Sequence, residues 1–192
     1  MRRLIISLAI MSMALISAAA QPRAAGVRLG GTGIDATYQH YMARDQFIEG
    51  NLGLDFGYNM NGRVGVKATA TYNLLWARPA WTDTGSWALY AGPGVSIGGV
   101  NDMAVAKFGD ERVPYNDGGF MLAAAVQVGL EYCFDFPLQI SVDLRPYFGF
   151  HVNDGKYYDI LTQQTQHYGR TIGFYDSGLL GFVPSISVRY IF

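Results

Sequence analysis

The residues best suited to acid–base chemistry near neutral pH are the three histidines, His40, His151 and His167. None of them stands with Ser, Asp or Glu in a recognisable triad. His167 and Asp159 share a long polar segment with Ser177, a combination that a loop-based acyltransferase could use. A polar segment of this length often contains such a set by chance. We therefore predict no catalytic residues and no enzyme activity, and keep an enzyme that modifies lipid as an alternative.

Metal and thiol chemistry has equally little support in the sequence. Cys133 is the one cysteine, so the chain can form neither an intramolecular disulfide nor a site built on two thiolates. Asn116-Asp117-Gly118 and Asn153-Asp154-Gly155 resemble turns and lack the repeated acidic spacing of a calcium loop. We predict no metal site and no cofactor, and we interpret Cys133 as a small interior residue.

The composition limits the class of protein. The chain has 192 residues, with 14 basic and 15 acidic side chains and a net charge of −1, which predicts one domain and no nucleic-acid partner. Half of the residues are hydrophobic and only 15% are charged, against about a quarter in ordinary soluble domains. Gly, Tyr and Phe are abundant, at 24, 13 and 11 residues. This composition is typical of neither a disordered chain nor an ordinary soluble enzyme.

The first twenty residues have the three parts of an export signal. Met1-Arg2-Arg3 is cationic, Leu4 to Ile16 is almost wholly apolar, and Ser17 to Ala20 are small. The apolar run is shorter than the roughly 18 residues needed for a membrane-spanning helix. We predict a signal peptide over residues 1–20, cleavage after Ala20, and a mature domain over residues 21–192.

The mature domain is predicted to be all-β, because apolar and polar residues alternate with a period of two. The clearest example is Ser185 to Phe192, where Ile186, Val188, Tyr190 and Phe192 share one face. Two other long stretches alternate in the same way. The eight predicted strands are Ala25–Gly30, Ile34–Tyr41, Phe47–Tyr58, Arg63–Trp76, Trp87–Gly98, Phe120–Phe134, Leu138–His151 and Ser185–Phe192.

Charged residues in these strands avoid the apolar rows. The ten are Arg28, Asp35, Glu49, Asp55, Arg63, Lys67, Glu131, Asp143, Arg145 and Arg189. Such exclusion is expected of a barrel in lipid, where a Lys or Arg on the outer face costs roughly 2 to 4 kcal/mol at midplane. A secreted soluble barrel that binds a small apolar ligand would alternate as well, with its apolar rows turned inward. Alternation alone leaves both arrangements open.

The aromatic residues and the connectors favour the membrane arrangement. The apolar rows begin and end in aromatic residues, as interfacial girdles do. Short connectors at 42–46 and 135–137 alternate with long ones at 101–119 and 152–177, and 78–84 is an intermediate exception. If both chain ends lie in the periplasm, the long connectors emerge outside the cell.

The signal, the eight alternating strands and the closing Val188-Arg189-Tyr190-Ile191-Phe192 resemble the small outer-membrane β-barrels of the OmpA and OmpX type. This resemblance implies an eight-stranded antiparallel up-and-down transmembrane β-barrel in the outer membrane. We also expect a monomer whose partners are outer-membrane lipid, lipopolysaccharide and the barrel-assembly machinery. Tyr190 and Phe192 match the C-terminal assembly signal of that family.

The ten strand charges are predicted to face the lumen. Eight strands enclose an interior just wide enough for side chains to fill, and five acidic residues face five basic ones. Paired charges would plug the lumen, whereas charges near the strand ends could simply be solvated. The tyrosine-containing long connectors predict a structural or surface-recognition role, with plain solvated surface as the alternative.

Overall fold

The computed structural model of the chain describes residues 22–31, 33–56, 64–108, 111–153, 156–159, 164–167, 172–176 and 182–192. For 101–108, 111–118, 153, 156–159, 165–167 and 176 only the backbone is described. The predicted signal at 1–20, Arg63 and Ser177 lie outside the described residues. No helix in the described ranges is long and apolar enough to span a membrane.

The described residues form β-strands almost throughout. The strands are β1 (Arg23–Leu29), β2 (Gly33–Ala43), β3 (Gln46–Asp55), β4 (Gly65–Ala77), β5 (Ser86–Phe108), β6 (Glu111–Cys133), β7 (Leu138–Leu144), β8 (Tyr147–Asn153), β9 (Lys156–Asp159), β10 (Gln164–His167), β11 (Ile172–Asp176) and β12 (Ser185–Ile191).

The strands close into an antiparallel barrel. Strands β1 to β6 pair in sequence order, β6 pairs with both β7 and β8, and β12 pairs with β7. The barrel closes between β1 and β12, with a register from Ala24↔Ile191 to Leu29↔Ile186. Strands β9 and β10 form a separate sheet. Of the other ten, β7 and β8 together make one strand of the barrel, as do β11 and β12, so the barrel has eight strands, which we call staves. The predicted all-β, eight-stranded antiparallel barrel is confirmed.

The predicted strand from Leu138 to His151 is interrupted at Arg145-Pro146, where β7 ends and β8 begins. The pairings Val128↔Leu144 and Ala125↔Tyr147 lie in one continuous register against β6, so no residue is inserted. Pro146 has no N–H to donate, and its carbonyl accepts the backbone N–H of Val126 at 3.1 Å. The proline therefore ends one ladder segment without changing the barrel.

The connector expected at 101–119 is instead the continuation of two strands. Strands β5 and β6 pair without a register change from Ser86↔Cys133 to Phe108↔Glu111. At roughly 3.3 Å per residue, the part of β5 beyond the predicted end at Gly98 adds about 30 Å. Beyond Val100, the two strands pair only with each other among the residues that the structure describes. We call residues 101–118 the ribbon.

The connector expected at 152–177 also contains strands. Strand β11 pairs with β8, from Ile172↔Val152 to Asp176↔Phe148, and so extends the last stave. Strands β9 and β10 form a separate pair, in which Asp159 lies opposite Gln164 and His167 opposite Lys156. Asp159 and His167, considered above as an acyltransferase pair, thus lie at opposite ends of this two-stranded sheet.

Side chains alternate between the outside and the interior of the barrel. Val142 and Val188 of the apolar rows are 44% and 47% exposed, whereas Glu131 and Arg189 of the charged rows are 2% and 0% exposed. The apolar rows therefore cover the outer surface and the charged rows line the interior. A water-soluble barrel with an apolar interior would show the reverse distribution.

Candidate functional site: the charged lumen

The lumen contains nine of the ten strand charges singled out from the sequence, and the tenth, Arg63, lies outside the described residues. The nine buried charges are Arg28, Asp35, Glu49, Asp55, Lys67, Glu131, Asp143, Arg145 and Arg189. They come from seven of the eight staves, because inward positions recur at every second residue. The lumen is therefore an ionic interior.

Glu49 on β3 is the centre of this interior. Arg145 Nη2 donates to Glu49 Oε1 at 2.6 Å, and Arg189 Nη2 forms an ion pair with Oε2 at 3.0 Å. Three amides complete the shell: Gln39 Nε2 donates to Oε2 at 3.1 Å, Asn51 Nδ2 to Oε1 at 3.0 Å and Gln127 Nε2 to Oε2 at 3.3 Å. A buried carboxylate needs such donors to offset lost hydration.

Arg28 on β1 forms a second group of ion pairs nearer the ribbon end of the barrel. Its Nη1 donates to Asp35 Oδ2 at 3.0 Å, and its Nη2 donates to Asp143 Oδ1 at 3.0 Å. The same Nη2 also donates to Ser185 Oγ at 2.6 Å. Asp143 lies 3.8 Å from Arg145 Nη2, which links this group to Glu49. The two arginine groups therefore form one continuous charge layer across the lumen.

A third group consists of one ion pair between β3 and β4. Lys67 Nζ donates to Asp55 Oδ2 at 3.3 Å, and the same ammonium lies 4.8 Å from the centre of the Tyr147 ring. Both side chains of the pair are nearly fully buried. The attraction of a cation to an aromatic face adds to the ion pair in a desolvated site.

Glu131 differs from the other buried carboxylates. Its Oε1 accepts the Tyr41 hydroxyl at 2.6 Å and its Oε2 accepts Gln139 Nε2 at 2.5 Å. None of the described Lys or Arg side chains forms an ion pair with it. The carboxylate is hydrogen-bonded but has no paired cation among the described residues.

Apolar side chains fill the lumen on both sides of the charge layer. Toward the chain termini, Phe47 packs edge-on against Tyr90, with ring centres 5.2 Å apart, beside Leu75 and Ala88. Toward the ribbon, the buried cluster comprises Val100, Met121, Ala123, Ala125, Tyr147 and Tyr175. The layer built on Glu49 and Arg28 thus lies between two apolar clusters, and the Lys67–Asp55 pair and Glu131 lie beside these clusters.

The amides and the apolar interior residues were not among the residues singled out from the sequence. Gln39, Asn51 and Gln127 around Glu49, and Phe47 and Met121 in the apolar layers, all occupy inward positions. Their positions in the inward-facing rows of the alternating strands could have identified them as interior residues. The contacts that they make across the barrel could not be predicted from alternation.

Features expected of a catalytic or metal centre are weak in the described residues. No group of three or more His, Cys, Asp or Glu in these ranges is arranged to hold a metal ion. The ring of His151 is buried and lies 6.0 Å from the Tyr175 ring, centre to centre. Cys133 is half-buried at the end of β6. The absence of enzyme activity remains a prediction.

A closed barrel of this kind exists among solved structures. The chain aligns with the crystal structure of the N-terminal β-barrel domain of Pseudomonas aeruginosa OprF, with a TM-score of 0.52, 11% sequence identity, and coverage of 90% of this chain and 96% of that one. No protein-family model matches the sequence, and no curated protein matches it significantly. The likeness shows a shared fold, the eight-stranded β-barrel.

The Glu49→Gln substitution tests whether the charge layer stabilises the barrel. It removes the negative charge between Arg145 and Arg189, and breaking a buried ion pair typically costs about 3 to 5 kcal/mol. We expect the urea midpoint of the refolded protein to fall accordingly. Asp45→Asn is the matched control, since its pair with Arg78 is exposed and should contribute about 1 kcal/mol or less. Equal losses in the two variants would contradict a stabilising charge layer.

Proposed function

We propose that this chain is an integral outer-membrane protein, exported by the signal at 1–20, with a side-chain-filled lumen and a structural or surface-recognition role. The observation that carries the proposal is the distribution of charge in the barrel wall. All nine described charges of the predicted strands face inward, and the outer rows are apolar. A charged side chain on the outer face would destabilise a barrel in lipid, so a surrounding bilayer explains why these charges are absent from the outer rows.

Exposed aromatic residues support the same location. Trp76, Tyr190 and Phe192 are exposed near the chain termini, whereas Phe120 and Phe150 are exposed near the ribbon. In membrane barrels, girdles of aromatic residues mark the levels where the two surfaces of the bilayer meet water. The two aromatic bands therefore indicate the two membrane interfaces, and the shared fold with the OprF domain agrees with them.

The interior supports a closed barrel over an open pore. Eight strands enclose little more than the volume of the inward side chains, and here these form ion pairs and apolar clusters. Such a barrel contributes to the envelope through its walls and its external segments. The lumen is not expected to act as a wide channel.

The ribbon supports a recognition role. It extends two strands beyond the barrel and carries acidic, basic and aromatic residues, including Asp102, Lys107 and Tyr115. Segments held on a rigid scaffold commonly carry recognition. With the chain termini in the periplasm, the ribbon emerges outside the cell and faces lipopolysaccharide or a partner.

The Val126→Arg substitution tests the membrane location. Val126 is 45% exposed on the outer face of β6, and a cation there should destabilise the barrel in phosphatidylcholine vesicles by roughly 2 to 4 kcal/mol. Urea unfolding in the vesicles measures the change. Ala80→Arg, in the exposed connector after β4, is the control and should change stability little.

Two results would contradict the membrane location. Val126→Arg could prove as stable as Ala80→Arg, or the wild-type chain could be recovered from the soluble periplasmic fraction without detergent. Either result would favour the secreted soluble barrel. Heat-modifiable migration on a gel would instead agree with a membrane barrel.

Planar bilayers test the closed lumen. We expect the purified protein to give no stable open-channel step, because ion pairs and apolar clusters occupy successive levels of the interior. A large porin in the same bilayers provides the positive control. Stable conductance of the size that this porin gives would overturn the filled lumen.

Trypsin added to intact cells tests whether the ribbon is external. Lys107 and Arg112 are paired in register near its tip, whereas Arg44 lies at the opposite end of the barrel. We expect cleavage after Lys107 or Arg112 in intact cells, and cleavage after Arg44 only once the outer membrane is permeabilised. The Lys107→Gln/Arg112→Gln variant should lose the early fragments. Early cleavage at Arg44 would reverse the proposed orientation.

A further inference from the structure

The barrel interior opens into a cavity of about 560 Å³ at the end where the chain begins and ends. Its lining includes Tyr41, Arg44, Arg78, Glu131, Cys133 and Gln139. Four of them lie at the ends of β2, β6 and β7, whereas Arg44 and Arg78 lie in the connectors after β2 and β4. We call this cavity the vestibule. Its volume lies in the range of small-molecule sites, roughly 300 to 1,000 Å³.

The inner wall of the vestibule presents hydrogen-bond acceptors that lack a cation. Glu131 is 2% exposed and accepts hydrogen bonds from Tyr41 and Gln139, without an ion pair to a described Lys or Arg. Gln139 is also buried, and its Oε1 has no hydrogen-bond donor among the described residues. A buried carboxylate and a buried unsatisfied carbonyl favour a ligand that brings N–H donors and a positive charge.

The rim of the vestibule has the opposite character. Arg44 is exposed and forms no ion pair with a described residue. Arg78 Nη2 donates to the Arg44 carbonyl at 2.6 Å, and the guanidinium also contacts Asp45 at 3.4 Å in an exposed ion pair that contributes little energy. Arg23 lines the cavity as well, so three arginines surround it. The exposed guanidinium groups of Arg44 and Arg78 carry further N–H donors for an incoming carboxylate.

We propose that the vestibule binds small zwitterions of the amino-acid or short-peptide class. The ligand ammonium donates to Glu131 and to Gln139 Oε1, and its carboxylate pairs with Arg44 and Arg78. Ala88 and Ile191 in the cavity wall leave room for small apolar side chains. This inference goes beyond the proposed function, from which it takes only that the vestibule faces the periplasm.

Isothermal titration of the detergent-solubilised full chain with L-alanyl-L-alanine tests the proposal. We expect saturable binding, and an affinity reduced by about tenfold or more for N-acetyl-alanyl-alanine, which lacks the ammonium. Alanyl-alanine amide, which lacks the carboxylate, should bind more weakly as well. Glu131→Gln should weaken the parent dipeptide in the same proportion and leave the N-acetyl compound unaffected.

Asp83→Asn is the matched control, because it removes one negative charge from a periplasmic turn outside the vestibule lining. It should leave the affinity unchanged. The N-acetyl and amide probes act on the wild-type chain, so the proposal stays falsifiable even if Glu131→Gln fails to fold. Absence of saturable binding into the millimolar range, or equal binding of all three compounds, would overturn it. Neither result would bear on the membrane location, which vesicle unfolding tests separately.

Discussion

The structure depends on keeping the Glu49 carboxylate buried with its charge compensated. Its four hydrogen-bond donors come from β2, β3, β6 and the β7–β8 stave, and its second arginine partner comes from β12, so the shell is complete only when the sheet is closed in this register. A slip of one residue would turn Glu49 toward the outer face. Because that face is the apolar one, register and charge placement reinforce each other, and both determine how the interior is filled.

Alternation in the sequence was sufficient to predict most of the barrel. The rows of Leu130, Val142 and Val188 on one side and of Glu131, Asp143 and Arg189 on the other have the expected orientation. The ribbon was not predicted because, within the described ranges, its two strands pair only with each other, so neither of their faces is required to be apolar. Pro146 was recognisable from the sequence as a residue that could interrupt a strand. That the strand resumes after it in the same register depends on the pairing of β7 and β8 with β6.

The sequence also predicted which side chains face the interior, but not which of them pair with one another. Phase along a strand identifies which side chains face inward, and it assigned Glu49 and Arg145 to the same compartment. It does not indicate that two residues 96 positions apart meet at 2.6 Å. For the same reason the difference between Glu49 and Glu131 was not foreseeable. Glu49 lies where two arginines converge, and Glu131 lies two residues from the end of its strand, beside a phenol and an amide.

The seam between β1 and β12 has a consequence for how the chain folds. The pairing Ala24↔Ile191 joins nearly the two ends of the described chain, and ordering so long an intervening segment is slow compared with forming a local hairpin such as β5–β6. Arg189 pairs with Glu49 from the seam strand, so the shell of Glu49 is complete only in the closed barrel, and closing the seam also removes this carboxylate from water.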